Sequence, residues 1–144
     1  MEHRLLLRDR VVPLLRRVDW RGLGVEWAVV FGSVAREGAG RDVDILISLS
    51  GEGRGPGLLL EIAARVADAL DVDPGIVDLV EAARAPCAVV RDAWRHGVLI
   101  YESRRGLARE RLLSMVKVCY DYRLAAKKLR IPETAARAMR RRWS

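Results

Sequence analysis

Apolar residues at Leu7, Val11, Leu14, Leu15 and Val18 recur at helical spacing, which predicts an amphipathic helix over residues 4–18 with Pro13 as its weak point. Residues 26–31, rich in valine and aromatics, predict a short buried strand that stops at Gly32-Ser33. After Ser33 there is room for one or two helical turns before Gly38 and Gly40 halt them. Residues 42–48 alternate strictly, with Val43, Ile45, Ile47 and the following Leu49 looking inward, and predict a second strand. Next come a helix over 58–70, with Leu59, Ile62, Ala63, Val66 and Leu70 on one side, and a short strand over 76–80. A helix over 86–96 ends at Gly97, in the position favoured for a left-handed cap, and a strand over 98–101 follows. A long helix over 107–129 and a shorter, very basic one after Pro132 complete the chain.

This alternation argues for an α/β (α+β) fold: one mixed sheet of about four strands with helices packed on it, plus C-terminal helices. At 144 residues the chain has the length of one domain, and its core needs neither disulfides nor a structural metal. Cys87 and Cys119 form no CxxC pattern and read as small buried apolar residues rather than a disulfide framework. The glycine-rich stretch 51–57 does not fit the GxGxxG spacing, and Pro56 removes an amide that a phosphate cradle would use, so it reads as a flexible connection. No stretch is long enough to span a bilayer, and Arg4, Arg8, Asp9 and Arg10 break up any signal-like apolar core. A soluble, cytoplasmic protein is expected.

Charge divides the chain in two. Residues 1–103 carry a balance of −3 and residues 104–144 a balance of +10, within a total of +7. The first stretch is expected to be the folded body and the second a basic helical extension, packed on it or projecting from it. Such a segment attracts phosphates or an acidic partner.

The chemistry sits where acids interrupt the strands. Asp42 and Asp44 lie two apart, so their carboxylates leave one face of a strand with roots about 6.5 Å apart. Asp78 breaks the otherwise apolar run 76–80. Crowded carboxylates repel one another, and a divalent cation such as Mg²⁺ reverses that penalty; it takes a few carboxylates and completes its shell with water and substrate phosphate. The plainer alternative has Asp42 capping the strand entrance and Asp44 and Asp78 at a solvated edge. Upstream, a strand that stops at Gly32-Ser33 and turns into a helix presents free amides and a hydroxyl, a ready place for a phosphate. Ser33 acting only as an N-cap is the simpler reading, and the two roles are compatible.

In this order, Phe31-Gly32-Ser33, Asp42-Val43-Asp44-Ile45 and Val77-Asp78-Leu79-Val80 resemble the minimal nucleotidyltransferases of the polymerase beta superfamily. Their motif is a Gly-Ser followed by an Asp-x-Asp strand and a later carboxylate. The likeness continues through Pro86, Arg95, Gly97 and Tyr101 and spans residues 25–101. Only the residues 34–41 separate Ser33 from Asp42, about two fewer than in the commonest form of the motif.

The resemblance implies that Gly32 and Ser33 hold the triphosphate of ATP, and that Asp42 and Asp44 bind Mg²⁺. It also implies that Asp78 completes the metal site and helps activate the acceptor hydroxyl. Arg36 would neutralise phosphate charge, or stand as a solvated helix residue. The implied reaction moves AMP, with pyrophosphate leaving, and relies on positioning rather than on a protein nucleophile. Small members of this family are often antitoxins that silence a HEPN ribonuclease by attaching AMP to one of its tyrosines. The basic C-terminus would then dock the HEPN partner, with Tyr120, Tyr122 and Trp143 as candidate anchors, unless the tyrosines pack on the sheet. Two alternatives stay open: an antitoxin that neutralises by binding, and a nucleotidyltransferase acting on nucleic acid or a small molecule. Arg91 and His96 match the Arg-x4-His spacing of HEPN ribonucleases, but in an α/β setting His96 reads as a cation at a helix C-terminus.

Overall fold

The computed structural model describes residues 5–51 and 56–128. In chain order the elements are β1 (Leu6–Leu7), α1 (Arg8–Leu15), β2 (Val25–Phe31), α2 (Gly32–Glu37), β3 (Ala39–Gly40) and β4 (Val43–Leu49). They continue with α3 (Pro56–Leu70), β5 (Val77–Glu81), α4 (Cys87–His96), β6 (Val98–Glu102) and α5 (Leu107–Lys128). Four strands form one mixed sheet in the order β5-β4-β2-β6, antiparallel on both sides of β2 and parallel between β4 and β5. The parallel step is made by α3 as the crossover, as a parallel pair requires.

The first helix is shorter than the apolar spacing suggests. Leu6 and Leu7 do not open it; they pair as β1 with Gly40 and Ala39 of β3. Arg8 secures the same junction, its amide donating to Gly38 O and its guanidinium to Ala35 O, both at 2.9 Å. The helix stops two residues beyond Pro13, which lacks an amide donor and crowds the preceding turn.

Both faces of the sheet are covered, and this alters the reading of β4. Val43, Ile45 and Ile47 are fully buried in a cluster with Val11 and Leu15 of α1 and Ile62 and Val66 of α3. Leu46 points the other way and is equally buried, among Ala93 of α4 and Leu107, Ala108 and Leu112 of α5. The strand is therefore apolar in both phases, and the expected single inward face is corrected to two. Burying each such side chain favours folding by about 1.5–3 kcal/mol.

Two further expectations are corrected. Cys87 and Cys119 are joined as a disulfide between α4 and α5, with Cα atoms 5.8 Å apart. Helix spacing within each segment could not show that the two helices pack together. Arg109 of α5 adds a contact to this seam, its guanidinium 6.0 Å from the Trp94 ring centre. Gly97 caps α4 in an extended conformation (φ −61°) rather than a left-handed one. Glycine is needed there for closeness: a Cβ would run into Ala93 O and the Val29 side chain of β2. Of the glycine-rich stretch, residues 52–55 lie outside the described residues, as do the basic helix expected after Pro132 and Trp143. Among the described residues no helix is long and apolar enough to cross a membrane.

Candidate active site

The end of β2 and the start of β4 place the acids. Phe31 pairs with Asp44 across the antiparallel β2/β4 step, and Asp44 is in register with Asp78 across the parallel β4/β5 step. Neighbours in register share a face, so Asp44 and Asp78 stand side by side on the face that α4 covers further along. Asp44 is half-buried and Asp78 exposed. Asp42 lies just before β4 begins and is exposed, so it stands at the strand entrance rather than within the ladder.

Gly32 closes the site from below. It opens α2 with φ +73°, and a Cβ at this position would overlap the Asp44 carboxylate. The left-handed backbone and the carboxylate lying against it both demand glycine. The N-cap of α2 is Phe31, whose side chain makes no capping bond, so Ser33 is not the cap. Ser33 is half-buried, with its hydroxyl facing Gly40, where a Cβ would collide with it. The residues between Ser33 and Asp42 are folded tightly: the rest of α2, Gly38 as a left-handed cap (φ +85°), then β3.

One participant was not singled out by sequence. Asp92 of α4 accepts a hydrogen bond from the Gly32 amide at 2.9 Å. It also faces Arg36, whose guanidinium lies 3.4 Å from it. Arg36 itself is exposed and reaches Glu37 at 3.6 Å. Spacing within α4 carries no signal for a contact made 60 residues away. The structure thus brings Gly32, Asp44, Asp78, Asp92 and Arg36 to one end of the sheet, with Asp42 at its rim and Ser33 turned toward β3.

Electrostatics follow from this crowding. Burial, and then the charges of Asp78, Asp42 and Asp92, push the Asp44 carboxyl up to about 6, and a hydrogen bond with Asp78 adds to the rise. Two carboxylates sharing a hydrogen bond must share a proton, and the same gap suits a cation in its place. Among the described residues no three acidic, histidine or cysteine side chains form a ready-made metal cage. The Asp44–Asp78 pair still offers hard oxygen donors, and that donor set fits an ion that takes one or two carboxylates and draws its other ligands from water and phosphate.

No protein-family model matches the chain, and no curated protein matches it. Solved structures do. A toxin–antitoxin structure with AMP-PNP is similar at 20% identity and a TM-score of 0.59, over 90% of this chain and 99% of that one. A structure of a tri-AMPylated Shewanella oneidensis HEPN toxin in complex with MNT antitoxin is similar at 19% identity and a TM-score of 0.56, over 89% and 95%. An MntA-HepT toxin–antitoxin structure is similar at 19% identity and a TM-score of 0.54, over 89% and 96%. The chain therefore shares the fold of a chain from these toxin–antitoxin structures.

Proposed function

We propose that this chain is an antitoxin of the MNT type: a Mg²⁺-dependent nucleotidyltransferase that moves AMP from ATP to a tyrosine hydroxyl of a HEPN toxin. The observation that carries this reading is the in-register pair Asp44–Asp78 set against the Gly32 turn. The fold shared with an AMP-PNP-bound toxin–antitoxin structure and with an MNT complex of an AMPylated HEPN toxin supports it. We read the chain as cytoplasmic, where its partner would be made.

Asp44 and Asp78 would hold Mg²⁺, with Asp42 contributing from the strand entrance. The ion's chemistry is to neutralise the phosphates and draw charge from the oxygen that leaves. Gly32 leaves room for the Asp44 carboxylate to lie against the turn, and its amide is already given to Asp92, so the phosphates would fall to Ser33, one residue further along, and to Arg36, which offers positive charge on the same helix. Asp78, the more exposed of the pair, is the carboxylate able to take the proton of an incoming hydroxyl. Tyr120 on α5 is 61% exposed and suits the role of a docking anchor, whereas Tyr122 is half-buried.

The deciding experiment incubates the chain with ATP labelled on the α-phosphate, Mg²⁺ and a HEPN partner. Transfer of label that disappears in Asp44→Asn supports the proposal. Tight binding of the partner without transfer replaces it with neutralisation by binding alone.

A further inference from the structure

Beside the carboxylates, α2 and α4 border an open cleft of about 410 Å³ whose basic wall the proposed reaction leaves unexplained. Its wall begins at Phe31, the residue before the Gly32 turn, and is otherwise dominated by Arg36, Arg91, Arg95 and His96, with Asp92 as its single carboxylate. Asp92 is already engaged by the Gly32 amide and Arg36. Among the described residues neither Arg91, Arg95 nor His96 forms an ion pair. Arg91 and Arg95 lie one turn apart on α4, an arrangement in which like charges disfavour the helix. Two unpaired arginines one turn apart, in a wall whose one acid already takes the Gly32 amide and Arg36, are suited to an external anion. Arginine also matches phosphate oxygens two at a time. The volume lies in the range of about 300–1,000 Å³ usual for small-molecule sites.

We propose that this cleft is an oligophosphate subsite, in which Arg91 and Arg95, with Arg36 and His96, bind two or more linked phosphates while Asp92 limits their affinity. That these phosphates are the terminal pair of a nucleotide rests on the reading given under the proposed function. The binding of the anion does not depend on it.

The test is calorimetric titration of the full chain with inorganic tripolyphosphate, without metal and at low salt. The wild type is expected to bind. Arg91→Ala combined with Arg95→Ala is expected to weaken binding at least tenfold, and Arg91→Lys with Arg95→Lys to restore part of it. Asp92→Asn, which removes the only negative charge in the wall, is expected to tighten binding at least threefold. Asp44→Asn is expected not to weaken it, which separates this site from the carboxylate pair. Displacement of tripolyphosphate by ATP but not by AMP identifies a nucleotide as the carrier; failure of ATP to displace it identifies free oligophosphate. The proposal is overturned if tripolyphosphate does not bind, if the double alanine variant binds it as the wild type does with unchanged circular dichroism, or if only single-stranded RNA binds in an arginine-dependent way. Loss of the subsite with AMP transfer intact leaves the proposed function standing, and the reverse result removes only that function.

Discussion

Asp44 carries a thermodynamic signature that can be measured without a substrate. Its carboxyl ordinarily titrates near 3.8 and here near 6, so between these values the folded state binds the proton that the unfolded state has released. Stability of the metal-free protein should therefore be full below about pH 4, fall as pH rises toward 6 and level off above. The full effect would be about 3 kcal/mol, and solvent screening of a half-exposed group reduces it to about 1 kcal/mol. Asp44→Asn should flatten the profile and raise stability at pH 7 by about that amount, read as the urea midpoint at pH 4.5 and pH 7. A large destabilisation at both pH values would show Asp44 to be structural. Gly32→Ala should act in the opposite direction, because a positive φ and an overlapping carboxylate combine to cost about 2–4 kcal/mol; the matching thermal midpoint is the check. Sequence made Gly32, Asp44 and Asp78 legible because each is a local anomaly: a glycine ending a strand, an acid within an apolar run. Asp92 is no anomaly on a helix surface, and only the approach of α4 to the Gly32 turn gives it meaning.

At the scale of elements, the four sheet strands and the helices between them were readable from periodicity to within a residue or two. What periodicity could not supply were pairings between distant segments. The two-residue strands β1 and β3 have no pattern of their own and exist only because they meet. The second buried face of β4 has no signal within the strand itself, because Leu46 is covered only by the distant α4 and α5. The Cys87–Cys119 link is the third such case. Its sequence separation of 32 implies that closing the loop stabilises the fold by about 3–4 kcal/mol in the chain-entropy model. Urea unfolding with and without reductant should differ by up to that amount, and the Cys119→Ser variant should be insensitive to reductant. If reductant changes nothing in the wild type, the seam is held by packing alone.

For the molecule as a whole, the asymmetry of charge acquires a direction. The described part of the basic extension is α5, which packs its first turns on α4 and the sheet and leaves Tyr120 and Leu124 exposed further along. Under the proposed function, Tyr120→Ala should weaken the partner complex at least tenfold, about 1.4 kcal/mol, with the thermal midpoint of the free chain unchanged. Were the basic helices to serve RNA instead, affinity for a single-stranded oligonucleotide would fall steeply with salt and Tyr120→Ala would leave the HEPN complex intact.

The clip between β1 and β3 ties chemistry to the way the chain is handled in practice. Leu6 and Leu7 brace the short connection that leads from Ser33 to Asp42, and Arg8 fastens it from both sides. A purification tag fused close ahead of Leu6, or protease trimming at the N-terminus, would disturb that connection without touching Asp42, Asp44 or Asp78. Under the proposed function, preparations differing only in their leading residues should then differ in AMP transfer while unfolding at similar temperatures.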